Sequence, residues 1–372
     1  VSDVPLGTFL SGGIDSSVIT ALASEFTDNL NTFSVGFKDE PLFDETNYAL
    51  LVAKKYKTNH TVFKLANNDL LEELYTFLDY TCEPFADSSA LAVNALCKKT
   101  REKLTVALSG DGADELFSGY NKHMAEFLVR EGGVKNKLVK AAAPIWDALP
   151  KSRNSRIGNT ARKLDKFAKG MKLSSEDRYW EWAGLQSDDG VEGVVLDREF
   201  PLSAVKTELM RGISNSTDFN DFLHMDMEWV LPGDMLTKVD TYSMANSLEV
   251  RVPFLDHKLV DYVFTLPSAY KIQKGSKKRL LQDAFRSYLP EELYHRPKHG
   301  FEVPLLKWFR GELWTVINEK YLSKELVEDQ KLFSYSEISK LKLRLQSNDP
   351  GDSVANVWAL IVFQHWWLKY IQ

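Results

Sequence analysis

Residues 9–17 run Phe-Leu-Ser-Gly-Gly-Ile-Asp-Ser-Ser, and no other stretch of the chain restricts its fold as tightly. An apolar strand ends at Leu10, two glycines turn the chain, and Ser16 and Ser17 open a helix continued by Val18, Ile19, Ala21 and Leu22. Glycine at 12 and 13 permits backbone angles that other residues resist and lets a ligand come close to the main chain. The new helix presents unpaired N–H groups and the positive end of its dipole to whatever lies over the turn. Such a site suits an anion, and phosphate is the usual one.

The first third alternates strand and helix. Apolar runs predict strands at 7–10, 32–37, 60–65 and 104–108. Between them, helices are expected over 16–26, about 44–56, a stretch with Leu70, Leu71, Leu74, Phe77 and Leu78 on one face, and 88–99 capped by Asp87 or Ser88. This order predicts an α/β fold with a doubly wound parallel sheet, whose ligands sit beyond the carboxyl ends of the strands where strand order reverses. From Lys122 onward helical spacing takes over. The expected division is an α/β region over 1–125, a partly basic helical insertion over 126–220, and a helical region over 221–372 interrupted at Leu231-Pro232-Gly233. An aromatic-rich helix from Val357 to Tyr370 reads as core or domain contact and not as a ligand box.

With 372 residues, 44% of them hydrophobic and 26% charged, the chain has the composition of an ordinary globular protein. No apolar run is long enough to span a bilayer, so no membrane partner is expected. Its two cysteines, Cys82 and Cys97, fit a reducing cytoplasm, and no C-x-x-C or H-E-x-x-H pattern suggests zinc. A net charge of −6 argues against broad nucleic-acid affinity. One basic run, Lys151, Arg153, Arg156, Arg162, Lys163, Lys166, Lys169 and Lys172 against the single acid Asp165, reads as a solvated helix face, with docking of a partner or RNA as the sharper option. Val1 is not a methionine, and the chain reads as the later part of a longer protein.

The fourth strand ends in Ser109-Gly110-Asp111-Gly112-Ala113-Asp114-Glu115, which repeats the grammar of the first loop: apolar strand, Ser-Gly, acidic glycine turn, helix. If the two loops face each other, Asp15 and Asp114 flank a triphosphate. Magnesium takes one or two protein carboxylates and completes its shell with phosphate and water oxygens, so the two aspartates with ATP would make a site.

The first loop lacks the G-x-x-x-x-G-K-[ST] and G-x-G-x-x-G patterns. Ser11-Gly12-Gly13-Ile14-Asp15-Ser16 instead resembles the pyrophosphate loop of the ATP pyrophosphatase (PP-loop) superfamily, which splits ATP between its α and β phosphates. Together with Ser109–Tyr120, the stretch Leu248-Glu249-Val250-Arg251-Val252-Pro253-Phe254-Leu255-Asp256 and Lys277-Lys278-Arg279-Leu280-Leu281, it resembles the synthetase domain of glutamine-hydrolysing asparagine synthetases. The likeness is strong over about 1–120 and 228–310 and weak over 121–220.

That resemblance implies roles. Leu10 and Val35, with Ser109 and Gly110, would hold adenosine through their backbones. Ser11, Gly12, Gly13, Ser16 and Ser17 would cradle the pyrophosphate, Asp15 and Asp114 would bind Mg2+, and Lys278 would reach the α-phosphate and the departing pyrophosphate. Asp111 stands where the best-known members carry a glutamate that orients or deprotonates the attacking amine, and is one methylene shorter. Glu249 and Arg251 would form a buried supporting pair. Glu83–Ser89 falls in the aspartate-recognition region but lacks the arginine that some members use there. The implied reaction joins ammonia to the β-carboxylate of aspartate through a β-aspartyl-AMP intermediate. An N-terminal glutaminase would supply the ammonia from glutamine, and a homodimer is compatible with this reading. The alternatives are a β-lactam synthetase-like enzyme acting on another carboxylate, a tRNA-modifying relative, and a non-catalytic nucleotide-binding module.

Overall fold

The computed structural model describes residues 2–38, 44–151, 156–184, 188–196, 202–213, 217–295 and 303–372. The chain separates into two compact units, each assembled from discontinuous segments. The first comprises Val1–Thr81, Asp87–Tyr120 and Asp226–Val303; the second comprises Cys82–Ala86, Asn121–Met225 and Pro304–Gln372. Residues 304–372 therefore group with 121–225 and not with 226–303, a different partition from the three consecutive parts expected.

In the first unit the chain runs β1 (Leu6–Phe9), α1 (Ile14–Ala23), β2 (Asn31–Phe37), α2 (Thr46–Tyr56), β3 (Asn59–Leu65), α3 (Asn67–Tyr80), α4 (Ala90–Arg101), β4 (Val106–Leu108), α5 (Ala113–Phe117) and β5 (Glu249–Arg251). The strands form one parallel sheet in the order β3-β2-β1-β4-β5. Strand order reverses between β1 and β4, so the loops that follow these two strands leave the sheet side by side. This is where a doubly wound sheet binds its ligand.

The doubly wound parallel sheet is as expected, with element ends shifted by a few residues. β5 was not foreseen: three residues on a sheet edge bury too little to stand out as an apolar run. At the start of α4 it is Asp87, not Ser88, whose side chain takes up a backbone amide. Ser89 is the capping position and makes no side-chain cap, while the Asp87 carboxylate accepts the Ser89 amide at 2.9 Å and its hydroxyl at 2.7 Å.

The chain does not break at Pro232. It continues through Asp226–Leu236 in a wide π-type winding that takes the proline inside it, and the Thr237 hydroxyl donates to the Pro232 carbonyl at 2.7 Å. The helix Thr237–Met244 follows and leads into β5.

A core of Leu10, Val18, Ile19, Ala49, Val52, Leu116 and Phe254 joins β1, α1, α2 and α5. Phe77 of α3 stacks on Tyr242 with ring centroids 4.5 Å apart. Each large apolar side chain buried in this way contributes roughly 1.5–3 kcal/mol.

The second unit is helical. Its final helix, Ser353–Tyr370, buries Val357, Trp358, Leu360 and Ile361, in agreement with a core reading. Inside the unit, buried Glu126 accepts hydrogen bonds from Arg178 and Arg130. Lysines of the basic run face acids: Lys151 and Lys169 meet Asp147 and Asp165, and Lys166 lies 4.0 Å from Asp352. This pairing fits a self-neutralised helix face. Arg153 and the side chain of Arg156 lie outside the described residues, as do the positions directly after Lys38 and around Gly300. Among the described residues no helix is long and apolar enough to cross a membrane.

Candidate active site

The loop between β1 and α1 holds its shape through its own hydroxyls. The Ser16 hydroxyl lies 3.0 Å from that of Ser11 and accepts the Ser11 amide at 3.2 Å, while the Ser11 hydroxyl accepts the Gly13 amide at 3.2 Å. Gly12 has φ +75°, and a Cβ there would stand 2.6 Å from the Ala49 amide, so both backbone and space demand glycine. Leu10 is wholly buried; its amide bonds to the Phe33 carbonyl and its own carbonyl accepts the Ser34 hydroxyl. The Ser34 hydroxyl also lies 3.4 Å from Nε2 of His60, and burial lowers the His60 pKa below its ordinary value. Val35 is buried in β2. Ser17 is buried beneath the loop: its amide closes the first helical turn on the Gly13 carbonyl, and its hydroxyl has no hydrogen-bond partner.

The second loop is shaped by close approach of its glycines. A Cβ on Gly110 would stand 2.8 Å from the Ser16 amide, so this residue lies directly against the first turn of α1. Gly112 (φ +87°) packs under Leu255, where a Cβ would come within 2.4 Å of the leucine side chain. Ser109 donates its amide to the Arg251 carbonyl of β5 at 2.8 Å and its hydroxyl to the Asp111 carboxylate. The segment 248–256 thus supports the loop through a backbone bond and one leucine. Its Glu249–Arg251 pair forms at 2.6 Å but is exposed on both sides, 56% and 40%, which corrects the expectation of a buried pair. Alternate residues of an edge strand share one face, here the solvent face.

Asp15 and Asp114 converge. The ammonium of Lys278, 263 residues beyond Asp15, lies 2.6 Å from a carboxylate oxygen of each. Lys278 is 6% exposed, not a surface lysine, and its amide bonds to the Phe117 carbonyl at the end of α5. Burial alone would lower its pKa, but Asp114 and Asp15 outweigh that and raise it. Gly119, passed over in the sequence, makes the cluster possible: a Cβ there would stand 1.7 Å from the Asp114 carboxylate and 2.2 Å from Cε of Lys278.

Asp111 sits beside this cluster. Its pKa is raised, chiefly by burial and further by Asp114 and Asp15, while the Ser109 hydroxyl and Lys238 pull it down. Behind it the thiol of wholly buried Cys97 is pushed up to about 12 by burial and the nearby Asp111 charge; Cys82 is exposed, and both cysteines are free.

Two converging carboxylates are oxygen donors of the kind a small hard cation takes, and in this structure the Lys278 ammonium lies between them. Among the described residues no group of three or more His, Cys, Asp or Glu side chains could hold a metal alone.

A second buried cation was missed. Lys238 donates to Asp87 at 2.6 Å and to the Ser89 hydroxyl at 3.1 Å. Lys238 and Tyr242, four residues apart on one helix, are both buried in the fold, and nothing local in the sequence marks this lysine as inward-facing.

The asparagine synthase family model matches residues 1–368. The chain is 31% identical to the glutamine-hydrolysing asparagine synthetase 1 of Bacillus subtilis (strain 168), an alignment covering 98% of this chain and 56% of that protein. It is 29% identical to a putative glutamine-hydrolysing asparagine synthetase of Mycobacterium tuberculosis (strain H37Rv), covering 100% of this chain and 55% of that one. The chain spans about half the length of these curated relatives.

Proposed function

Because the chain belongs to the asparagine synthase family, we propose that it forms the amide of asparagine from aspartate and ammonia, cleaving ATP to AMP and pyrophosphate. One observation carries this reading: the two acidic glycine loops, from neighbouring strands at the reversal of strand order, meet at a single buried cation.

A carboxylate resists ammonia because its leaving group would be oxide. Attack of the β-carboxylate on the α-phosphate releases pyrophosphate and leaves β-aspartyl-AMP, from which ammonia displaces AMP. The Ser11 to Ser16 turn, with Gly12 and Gly13, holds the phosphates through amides and hydroxyls. Ser17 braces that turn from below. The backbones of Leu10, Val35, Ser109 and Gly110 line the adenosine end. Lys278 stabilises charge growing on the phosphates, a fixed electrostatic contribution that needs no reorganisation during reaction. Asp15 and Asp114 are the residues that would hold Mg2+, which when bound neutralises phosphate charge. Asp111 orients the incoming ammonia and takes its proton. Glutamine hydrolysis belongs, in this reading, to an N-terminal glutaminase region of the longer protein, and a homodimer is the assembly to look for.

The test supplies Mg-ATP, ammonium and aspartate and follows products. The expected result is AMP, pyrophosphate and asparagine in equal amounts, all dependent on aspartate. ADP formation, or pyrophosphate release indifferent to the carboxylate offered, overturns the assignment.

A further inference from the structure

The carboxyl edge of the sheet carries a second charged cluster that the reaction above does not use. α4 feeds β4 and the helix Thr237–Met244 feeds β5, and both strands are parallel to the rest of the sheet. A helix leading into a parallel strand begins at the edge where the other strands end. Asp87 and Ser89, at the start of α4, and Lys238, in the first turn of the later helix, therefore lie on the same edge as the two glycine loops.

There Lys238 and Asp87 form a close ion pair, 2.6 Å, with very different exposure. The lysine side chain is 7% exposed, whereas 27% of the aspartate remains open to solvent. Lys238 feels the carboxylates of Asp87, Asp234 and Asp111, and this raises its pKa against the opposing effect of burial. The aspartate side of the pair is thus the side open to a further partner. Asp111, in the second glycine loop, feels the charge of Lys238 as well as those of Asp114 and Asp15.

A charge pair of this kind is complementary to a zwitterion. An α-amino acid offers a carboxylate and an ammonium on one carbon, and can replace the internal pair by two external ones. Resting on the function proposed above, we infer that Lys238 and Asp87 select the acid substrate, Lys238 binding its α-carboxylate and Asp87 its α-ammonium. The side-chain carboxylate is thereby left to face Asp111 and the α-phosphate. Ser89 holds the lysine in place when Asp87 turns to the substrate.

The test removes one charge at a time from both partners. β-Alanine is aspartate without its α-carboxylate, and succinate is aspartate without its α-amino group. Pyrophosphate release at saturating Mg-ATP and ammonium is measured with all three acids on the wild-type chain, Lys238→Met and Asp87→Asn. In the wild type both analogues fall on the order of 100-fold below aspartate in kcat/KM, the size expected when a buried charge loses its partner. Lys238→Met loses the preference over β-alanine but keeps that over succinate; Asp87→Asn does the reverse, and KM for ATP moves less than about 3-fold in either. Equal losses for all three acids, with the ratios intact, would mean a purely structural pair and overturn the inference.

If a single variant fails to fold, the double variant Lys238→Met/Asp87→Leu removes both charges together, a change that buried pairs tolerate better. It is expected to lose both preferences, and retention of either overturns the clamp. Absence of turnover with any acid in the wild type overturns the proposed activity alone. Calorimetric titration of the same acids into the same variants then decides the clamp by the same ratios.

Discussion

The two glycine loops look alike in sequence and are held in different ways. The first, after β1, is tied by its own hydroxyls, Ser11 and Ser16 bonding to each other and to nearby amides. The second, after β4, is shaped mainly by neighbours that leave no room for a side chain: Ser16 against Gly110, Leu255 against Gly112, and Asp114 with Lys278 against Gly119. A self-bonded loop keeps its shape with its own hydroxyls and amides. One braced from outside can instead hold several carboxylates close together, because distant residues supply the compensating charge. The difference teaches that one strand-turn-helix grammar serves both to receive phosphate and to place acids, according to what surrounds it.

Substitutions separate these two modes. Gly119→Ala is expected to do most harm, because the new methyl group must displace either Asp114 or Lys278 and uncouple a buried ion cluster. Breaking such a pair costs about 3–5 kcal/mol, and pyrophosphate release should fall roughly 1000-fold, a figure typical of losing an electrostatic stabiliser. Thermal unfolding and product assays check both, and near wild-type values would refute the external bracing of the second loop. Gly12→Ala should act locally on the first loop. It places a side chain at φ +75° against Ala49 and Tyr48, costing about 1–3 kcal/mol, and should raise KM for ATP more than it lowers kcat.

A smaller effect is expected from His60, which lies below the first loop through Ser34. Its folded pKa is lowered by burial, so the folded state binds fewer protons than the unfolded chain just below the ordinary histidine pKa of 6.5. The stability tied to this group is full above that pH and is lost as pH falls through the folded pKa. His60→Gln should flatten that part of a pH–stability curve; an unchanged slope would show that His60 does not titrate with folding. Least of all, Glu249→Gln breaks an exposed pair on an edge strand and should shift stability by no more than about 0.5 kcal/mol, with activity within about 2-fold. A large loss there would mean that β5 supports the second loop through side chains and not only through the Arg251 carbonyl.

Much of the sheet was legible because β1 to β4 and their glycine turns write their geometry locally, as apolar runs and left-handed positions. The meeting of Asp15 with Asp114 could be argued from parallel topology alone. What lay hidden depended on distance along the chain or on context. Asp87 and Lys238 are 151 residues apart, and a lysine in a helix does not announce which way it faces. Gly119 looked like the tail of a motif until Asp114 and Lys278 closed around it. At Pro232 a local rule misled, since a widened helix absorbs a residue that would end a regular one.

Cys97 gives the protein an internal clock. Buried beside Asp111, with a thiol that stays protonated at ordinary pH, it is closed to alkylating reagents while the fold is intact, whereas exposed Cys82 reacts at once. The slower of two labelling phases therefore times the opening of the region around the acid loop, and whatever binds there should lengthen it in proportion to how tightly it holds that region shut.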